Sequence, residues 1–401
     1  MGTLWSNIRK GQESAAFEYD ETWLRHPERF ALELALKLTS APFYTQHHQR
    51  LFGAIGDSAS DRWGRILIRR AEIARAKAAG VSPQTLYEID FLLGVDDQTR
   101  QGALRFSKAL NGPFLNNQHK RKVLPLVDLP KLLPVTERFL AGEENAEDLR
   151  LLLAPGSSLG GARPKASIRT PNDSLAIAKF PHKEDEFNVV SWEAVALDLA
   201  EKSGIRVPSR LLKIISGKPV LIVNRFDRIH QERIPFLSAM SMLGVKDNEE
   251  HSYLEIADAL RQYGAMPEAD MAELWRRIVF TILISNTDDH LRNHAFLYDH
   301  HKKGWRLSPV YDINPTPADI KPRILTTAID LFDRTASLYL ALSVAENFRL
   351  SQSNARAIIK DIYKSVEQWR NIAQSFGLQK KEIERMASAF EHEDAKKAAT
   401  L

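Results

Sequence analysis

The chain has 401 residues, of which 44% are hydrophobic and 26% are charged, and this composition is typical of a folded protein with more than one domain. It contains no cysteine, which excludes disulfides, thiolate metal sites and a cysteine nucleophile and favours a cytoplasmic location. The formal net charge is +4, with the positive residues dispersed, and no apolar run has the length of a membrane span, so we expect no membrane partner.

A mostly helical subdomain is predicted for residues 1–140. Residues 66–79 indicate a helix that Gly80 closes. Residues 87–93 indicate a second helix, and residues 103–106 indicate a strand that enters the next domain. The first helix and its flank are basic, with positive side chains at Arg65, Arg69, Arg70, Arg75 and Lys77. Because no aromatic residues are interleaved with them, we interpret this face as solvated rather than as a nucleic-acid interface.

A glycine-rich stretch, residues 156–165, lies near the start of the second predicted domain, residues 141–230. Glycine lets a backbone approach phosphate oxygens closely, and the amides of such a loop donate hydrogen bonds to them. The stretch matches neither the Walker A pattern nor G-x-G-x-x-G, and an ordinary hairpin is the alternative interpretation. The predicted strand at residues 175–180 carries Lys179 among apolar residues, where a lysine requires an anionic partner.

A helix predicted over residues 186–202 carries Glu193. Two interpretations stay open for this residue: it holds Lys179 towards a phosphate, or it is an ordinary surface glutamate. A glycine-rich loop, a strand with a lysine and a helix with a glutamate follow one another here in the order found in protein kinases. The order of the parts therefore strengthens a glycine-loop signal that is weak alone.

Two further strands complete the second domain. Residues 211–215 and 219–228 indicate strands joined by a hairpin turn around Gly217. In a kinase the exit from the second strand is the hinge, where backbone groups pair with adenine. Asp227 stands between two arginines there, and we favour a structural ion network for it over a role in binding.

The third predicted domain, residues 231–401, is mainly helical and contains the densest group of functional side chains, residues 285–293. The apolar run at residues 278–284 predicts a buried helix that delivers this loop. Asp288 and Asn293 have the D-x-x-x-x-N spacing of the protein-kinase loop, where the aspartate accepts the substrate proton and the asparagine binds magnesium. A polar turn after a helix is the alternative.

A second candidate metal ligand, Asp312, follows nineteen residues after Asn293. It comes after a short segment, Val310 and Tyr311, that is apolar and strand-like. Amphipathic packing helices are predicted for the C-terminal part, residues 341–376 and 380–390.

These motifs resemble those of the HipA-like serine/threonine kinases, the toxin components of bacterial toxin–antitoxin pairs. The resemblance covers nearly the whole length and rests on residues 17–20, 61–65, 90–95, 158–165, 178–181, 225–228, 286–293 and 311–312. It implies an α+β, protein-kinase-like two-lobed fold. A small N-terminal subdomain, a β-sheet lobe with the glycine-rich loop and a mainly helical C-terminal lobe would make up that fold.

The resemblance also implies ATP and Mg²⁺ as cofactors and assigns roles residue by residue. Asp288 would be the catalytic base, Asn293 and Asp312 the magnesium ligands, and Lys179 the lysine on the ATP phosphates. The other implied nucleotide-binding residues are Leu159, Gly160, Gly161, Ala162, Arg163, Pro164 and Lys165 of the loop, Asn224, Arg225 and Phe226 of the hinge, and His290.

Regulation and partners follow from the same resemblance. Ser158, or its neighbour Ser157, would be autophosphorylated and switch the kinase off, because the added phosphate repels the nucleotide. The implied substrate is a protein of translation such as an aminoacyl-tRNA synthetase, with growth arrest as the outcome, and an antitoxin that links the chain to DNA is the implied partner. Residues 236–242 depart from the family, since relatives often carry a polar Gln-Glu-Asp segment there.

Two other functions stay open at this point. A small-molecule kinase of the aminoglycoside or choline type uses a similar Asp-to-Asn loop, and an acidic substrate pocket would distinguish it. A catalytically idle regulator that binds an antitoxin or DNA is the second, motivated by the basic helix that begins near Arg65.

Overall fold

A computed structural model of the chain describes residues 1–46, 49–117, 123–156, 161, 163–246 and 249–401. These residues form two compact units. Unit 1 contains Met1–His182 and Ile214–Leu237, and unit 2 contains Lys183–Lys213 and Ser238–Leu401. The domain boundaries that we predict at residues 140 and 230 are not tested by this division into units and stay predictions.

Both strands and helices are present, as the α+β class predicts. The strands, in chain order, are β1 Gly2–Arg9, β2 Gln12–Tyr19, β3 Phe43–Tyr44, β4 Lys165–Arg169, β5 Leu175–Lys179, β6 Arg210–Ile215, β7 Lys218–Asn224, β8 Arg228–Ile229, β9 Glu232–Arg233, β10 Phe236–Ser238, β11 Ala295–Asp299 and β12 Gly304–Leu307.

The α-helices, in chain order, are α1 Glu21–Leu24, α2 Gly53–Gly56, α3 Arg62–Ala79, α4 Glu88–Leu93, α5 Leu129–Ala141, α6 Ala146–Gly156, α7 Val189–Lys202, α8 Ala239–Leu243, α9 Tyr253–Tyr263, α10 Pro267–Leu283, α11 Leu338–Ser343, α12 Gln352–Val366, α13 Trp369–Ser375, α14 Lys380–Phe390 and α15 Glu393–Thr400. None of the helices in the described part of the chain combines the length and the apolar content that crossing a bilayer requires.

Several local predictions are confirmed by their capping and turn chemistry. Helix α3 contains the predicted helix at 66–79 but begins four residues earlier, after the N-cap Asp61, whose side chain accepts from the Gly64 amide. It ends, as predicted, where Gly80 takes a left-handed φ of 66°. The predicted hairpin turn is present, since Ser216 and Gly217 both have positive φ, 49° and 77°. The predicted helix at 380–390 matches α14.

Two predicted strands are wrong. Residues 103–106 form no strand, and just before them the Gly102 amide donates to the Asp227 carboxylate, 2.7 Å away, rather than to a neighbouring strand. The segment before Asp312 is also irregular. Asp312 has a φ of 58°, a left-handed conformation that a strand does not accommodate.

The core of unit 1 lies where α3, α5 and α6 meet the antiparallel strands β4, β5 and β7. Its larger members include Trp63, Leu67, Phe139, Ile168 and Ile222. The indole Nε1 of Trp63 donates to the Lys165 carbonyl at 3.0 Å, while its ring packs edge-on against Phe139. A helix of the N-terminal region is therefore attached to the strand that follows the glycine-rich loop.

A buried ion network fixes a second part of unit 1, and it confirms our interpretation of Asp227. The Arg225 Nε lies 2.8 Å from Oδ1 of Asp227, and the Arg228 Nη1 lies 2.8 Å from Oδ2 of the same carboxylate. Burial alone raises the pKa of Asp227, but the two guanidinium charges outweigh it and lower this pKa to about 2. Arg225 also donates to the carbonyls of Thr99 and Arg100.

The buried helix predicted before the catalytic loop is confirmed as α10 of unit 2. It begins at Pro267, and acidic residues in its first turn, Glu268 and Asp270, suit the positive end of the helix dipole. Its later residues are buried on nearly every side, including Trp275 and Ile278. The last turns of α10, from Ile278 onward, are largely apolar and lie in the protein interior, so the loop after them starts from a buried position.

The first prediction concerns Glu33, a buried carboxyl that accepts from the Ala54 amide at 2.6 Å. Burial raises its pKa from 4.5 to about 7. The contribution of this group to stability is therefore complete below pH 4.5 and is lost as pH rises through 7. We expect Glu33→Gln to raise the free energy of unfolding at pH 8 by up to about 3 kcal/mol and to change it little at pH 5.

Urea unfolding at both pH values measures this difference. Glu28→Gln at an exposed position is the matched control and should change neither value. Equal pH dependence in Glu33→Gln and in the wild type would contradict the assignment.

Candidate active site

The loop that follows α10 is anchored at its first residue. Ser285 has a positive φ of 51°, which turns the chain sharply out of the helix. Its hydroxyl donates to the Ala389 carbonyl at 2.9 Å, and its own carbonyl accepts from the Thr316 amide at 3.2 Å. The loop therefore begins from a fixed point rather than from a frayed helix end.

Asp288 is exposed on a loop whose neighbouring residues are buried. Its side chain is 68% exposed, whereas Thr287 and Asp289 on either side are buried. The carbonyl of Thr287 accepts from the Thr326 hydroxyl at 3.0 Å, and the carbonyl of Asp288 accepts from the Asn293 side chain at 3.1 Å. A carboxylate is thus presented to solvent from a backbone that cannot move freely.

Asp289 is the buried support of this loop. The Tyr253 hydroxyl donates to its Oδ2 at 2.5 Å, and Nε2 of His294 lies 3.1 Å from the same oxygen. Burial alone raises the pKa of Asp289, but His294 and then Tyr253 outweigh it, so this pKa is lowered and the carboxyl stays ionised. The Thr327 hydroxyl donates to the Asp289 carbonyl at 2.7 Å.

Our sequence interpretation missed these supporting residues. The D-x-x-x-x-N spacing says nothing about the residue after the first aspartate. Its partner Tyr253 lies 36 positions before Asp289 in the chain. The one available signal was the second acid of the pair Asp288 and Asp289, because two adjacent carboxylates rarely have the same environment.

The two predicted metal ligands lie on segments that hydrogen bonds join. The Asn293 side-chain nitrogen donates to the Asp288 carbonyl, which leaves Oδ1 as the end of the amide suited to a cation. The segment of Asp312 is tied to the catalytic loop because the Tyr311 hydroxyl donates to the Arg292 carbonyl at 2.6 Å. Residue Asp312 itself has the left-handed backbone described above, a conformation that is concentrated at functional sites.

The oxygen atoms here fit magnesium better than a transition metal. Among the described residues, no group of three or more His, Cys, Asp or Glu side chains is placed to hold a metal ion alone. Mg²⁺ does not need such a group, since it is usually bound by one or two carboxylates together with water and substrate phosphates. Asn314 adds a buried Oδ1 that has no hydrogen-bond partner, two residues after Asp312.

Unit 1 contains the predicted phosphate-binding residues. Lys165 on β4 is directly opposite Lys179 on β5. Arg163 is exposed beside them. Gly161 has a φ of 84° and its carbonyl accepts from the Trp63 amide at 3.3 Å, so the end of the glycine-rich loop is held.

Asp61 is an acid that lies close to Lys165. Its Oδ2 lies 3.9 Å from the Lys165 ammonium. Burial raises the pKa of Asp61 to about 7, and Lys165 opposes this shift. The rest of the predicted loop, Ser157, Ser158, Leu159, Gly160 and Ala162, lies outside the described residues, and Pro164 is buried beside Lys165.

The predicted hinge residues have unequal surroundings. Asn224 is paired with Ala176 at the end of β7, and Phe226 is half-buried. Arg225 differs because its amide donates to the Leu175 carbonyl at 3.0 Å and its guanidinium belongs to the Asp227 network. The side chain of Arg225 is therefore structural, and the hinge role of its backbone stays a prediction.

Three other predicted features have clear positions. Glu193 is buried in α7, so the interpretation as a surface glutamate is wrong.

His290 has a buried Nδ1 without a hydrogen-bond partner, and its amide donates to the Asp288 carbonyl at 2.9 Å. The basic face of α3 is largely ion-paired, by Arg65 with Glu88, Arg70 with Glu144 and Arg75 with Glu72. These pairs support a solvated face.

Comparison with known proteins shows the family of the chain. A family model described as the HipA-like C-terminal domain matches residues 157–395, more than half of the chain. Two relatives carry the name "Putative kinase". Y4mE of Sinorhizobium fredii is 27% identical over 347 residues, 77% of this chain and 74% of that protein. A protein of Haemophilus influenzae is 28% identical over 190 residues, 40% of this chain and 54% of that protein.

A solved structure of similar fold comes from Shewanella oneidensis MR-1, where it is described as the toxin–antitoxin system HipA, HipB and its operator DNA complex. The TM-score is 0.65 at 17% identity, and the match covers 100% of this chain and 97% of that chain. At this identity the similarity shows the fold, and it confirms the predicted kinase-like α+β class.

The second prediction tests the support beneath the loop. Tyr253→Phe removes the hydroxyl that donates to the buried Asp289 carboxylate, and we expect it to lower the free energy of unfolding by about 1–3 kcal/mol. Urea unfolding measures the change. Tyr339→Phe, at a side chain that is 75% exposed, is the control and should be neutral. Equal stability of both variants would show that the buried bond contributes nothing.

Proposed function

This chain belongs to the HipA-like kinase family, and from that premise we propose that it transfers the γ-phosphoryl group of Mg-ATP to a serine or threonine of a protein. One observation carries the proposal. The exposed carboxylate of Asp288 projects from a loop whose neighbours are buried and hydrogen-bonded, five residues before an asparagine that the same loop orients. This is the arrangement that a catalytic base beside a metal ligand requires.

Phosphoryl transfer asks a protein mainly for positioning and for compensation of charge. Asp288 would accept the proton of the acceptor hydroxyl. Asn293 and Asp312 would hold Mg²⁺, whose charge, when it is bound, neutralises the phosphate oxygens. Lys165 and Lys179 would add two positive charges opposite one another on β4 and β5.

The acceptor in this proposal is a protein of translation, such as an aminoacyl-tRNA synthetase, and its phosphorylation would arrest growth. The family resemblance supports this choice. The fold neighbour from Shewanella oneidensis is described with an antitoxin and operator DNA, and we include a similar antitoxin partner in the proposal. The basic face of α3 does not favour direct DNA binding, because its arginines are engaged in ion pairs within the chain.

The third prediction concerns the base. Asp288→Asn keeps the shape of the side chain but cannot accept the proton, so we expect phosphoryl transfer to fall by at least about 100-fold. The fold should be unaffected because the side chain is largely exposed. Release of ADP and the mass of the phosphorylated products measure transfer, and calorimetry with ATP measures binding.

Asp361→Asn, at an exposed aspartate on α12, is the matched control and should behave as the wild type. Full activity of Asp288→Asn would disprove the assignment of the base. ATP consumption that depends on added aminoglycosides or choline, without protein phosphorylation, would point to a small-molecule kinase instead.

The fourth prediction concerns the glycine-rich loop. After incubation of the wild type with Mg-ATP, we expect one added phosphate on Ser157 or Ser158, followed by loss of activity, because the phosphate brings nearly two negative charges against those of the nucleotide. Intact mass and phosphopeptide mapping identify the site. The single variants Ser157→Ala and Ser158→Ala should separate the two residues, and Asp288→Asn should gain no phosphate. A phosphate that appears equally in Asp288→Asn would contradict autophosphorylation.

A further inference from the structure

We propose that Lys321 is a second catalytic residue, whose ammonium group contacts the transferred phosphoryl oxygens beside Asp288. The inference rests on the proposed kinase function and adds a residue to its site. The Lys321 ammonium lies 3.6 Å from Oδ1 of Asp288. Among the described residues it is the one basic side chain paired with that carboxylate, and no sequence pattern drew attention to it.

The backbone around Lys321 forms a tight turn after the Asp312 segment. The Pro317 carbonyl accepts from the amide of Ile320 at 3.0 Å and from the amide of Lys321 at 3.4 Å. Pro322 follows directly and fixes one backbone dihedral there. Lys321 therefore extends from a constrained turn and not from a long mobile loop.

Helix α14 holds one side of this turn. The Ala318 amide donates to the Ser388 hydroxyl at 3.0 Å. The Asp319 carboxylate lies 3.3 Å from the guanidinium of Arg385. Two adjacent residues of the turn are thus attached to one face of a helix that is far away in the sequence.

Arg323 holds the other side. Its guanidinium pairs with Asp394 at 2.9 Å, donates to the Ile282 carbonyl at 3.1 Å and reaches the Ser285 hydroxyl at 3.2 Å. Ile282 is in the last turn of α10, and Ser285 opens the catalytic loop. The residue two positions after Lys321 is therefore bonded to the beginning of the loop that carries Asp288.

The pair of Lys321 and Asp288 contributes little to stability. The two side chains are 54% and 68% exposed, and ion pairs at such positions contribute about 0–1 kcal/mol. The anchored turn, rather than the attraction between the two charges, places the ammonium there. A positive charge held beside the base without a structural benefit is best explained by the chemistry of the site.

The transfer step defines what this charge would do. The oxygen of the acceptor hydroxyl forms a bond to the γ-phosphorus as the bond from that phosphorus to the ADP oxygen breaks. The hydroxyl proton passes to the carboxylate of Asp288, and ADP leaves with the electron pair of the broken bond. Negative charge on the transferred oxygens would meet the Lys321 ammonium, and a single preorganised group of this kind accounts for about 100-fold or more in rate.

The experiment compares Lys321→Ala, Lys321→Arg and the wild type in steady-state phosphorylation of a protein acceptor. We expect Lys321→Ala to lower kcat by about 100-fold and to leave KM for ATP within about threefold. Arginine keeps the charge and should restore most of the lost rate. Lys302→Ala, at an exposed lysine in the turn between β11 and β12, is the control and should match the wild type.

Each other outcome has a definite meaning. An unchanged kcat in Lys321→Ala would overturn the inference while leaving the kinase assignment intact, and a raised kcat would overturn it by showing that the lysine blocks the base. An effect on KM alone would overturn it in favour of nucleotide binding. A wild type that binds ATP but phosphorylates no protein would remove the proposed function, and this inference with it.

Discussion

The ionised, buried carboxylate of Asp289 is the constraint on which the candidate site depends. An unpaired charge in a protein interior is costly, so the fold must supply its partners, and Tyr253 and His294 do so through one oxygen. Those partners come from α9 and from the residue before β11, and they fix the backbone that carries Asp288. The adjacent aspartate can then remain exposed without being disordered.

Buried ion pairs also fix part of unit 1. Asp227 is enclosed by Arg225 and Arg228, and these arginines also bind carbonyls of residues 99 and 100, so a short charged motif joins distant parts of the unit. Lys165, which is paired with Lys179 in the register of β4 and β5, has the Asp61 carboxylate 3.9 Å from its ammonium group. In both places a buried charge is compensated by a charge of opposite sign.

Local chemistry accounts for most of what we predicted correctly. Periodic apolar residues, an N-cap at Asp61 and a glycine at position 80 specify α3, and the apolar run before Ser285 specifies the end of α10. The errors share one cause. At residues 103–106 and before Asp312 the sequence has strand-like character, but the backbone is irregular. The amide of Gly102, just before the first segment, donates to Asp227, and the amide of Val310 donates to the Arg206 carbonyl, contacts that no local pattern reveals.

The sequence by itself determined the types and spacing of the candidate site residues, because Asp288 and Asn293 lie within one short segment. It also determined the family. Only the tertiary structure decided which of two adjacent aspartates is buried, that the Arg225 side chain is structural, and that Lys321 lies beside Asp288. Burial and ion pairing depend on residues that folding brings together from distant positions, and linear spacing contains no record of them.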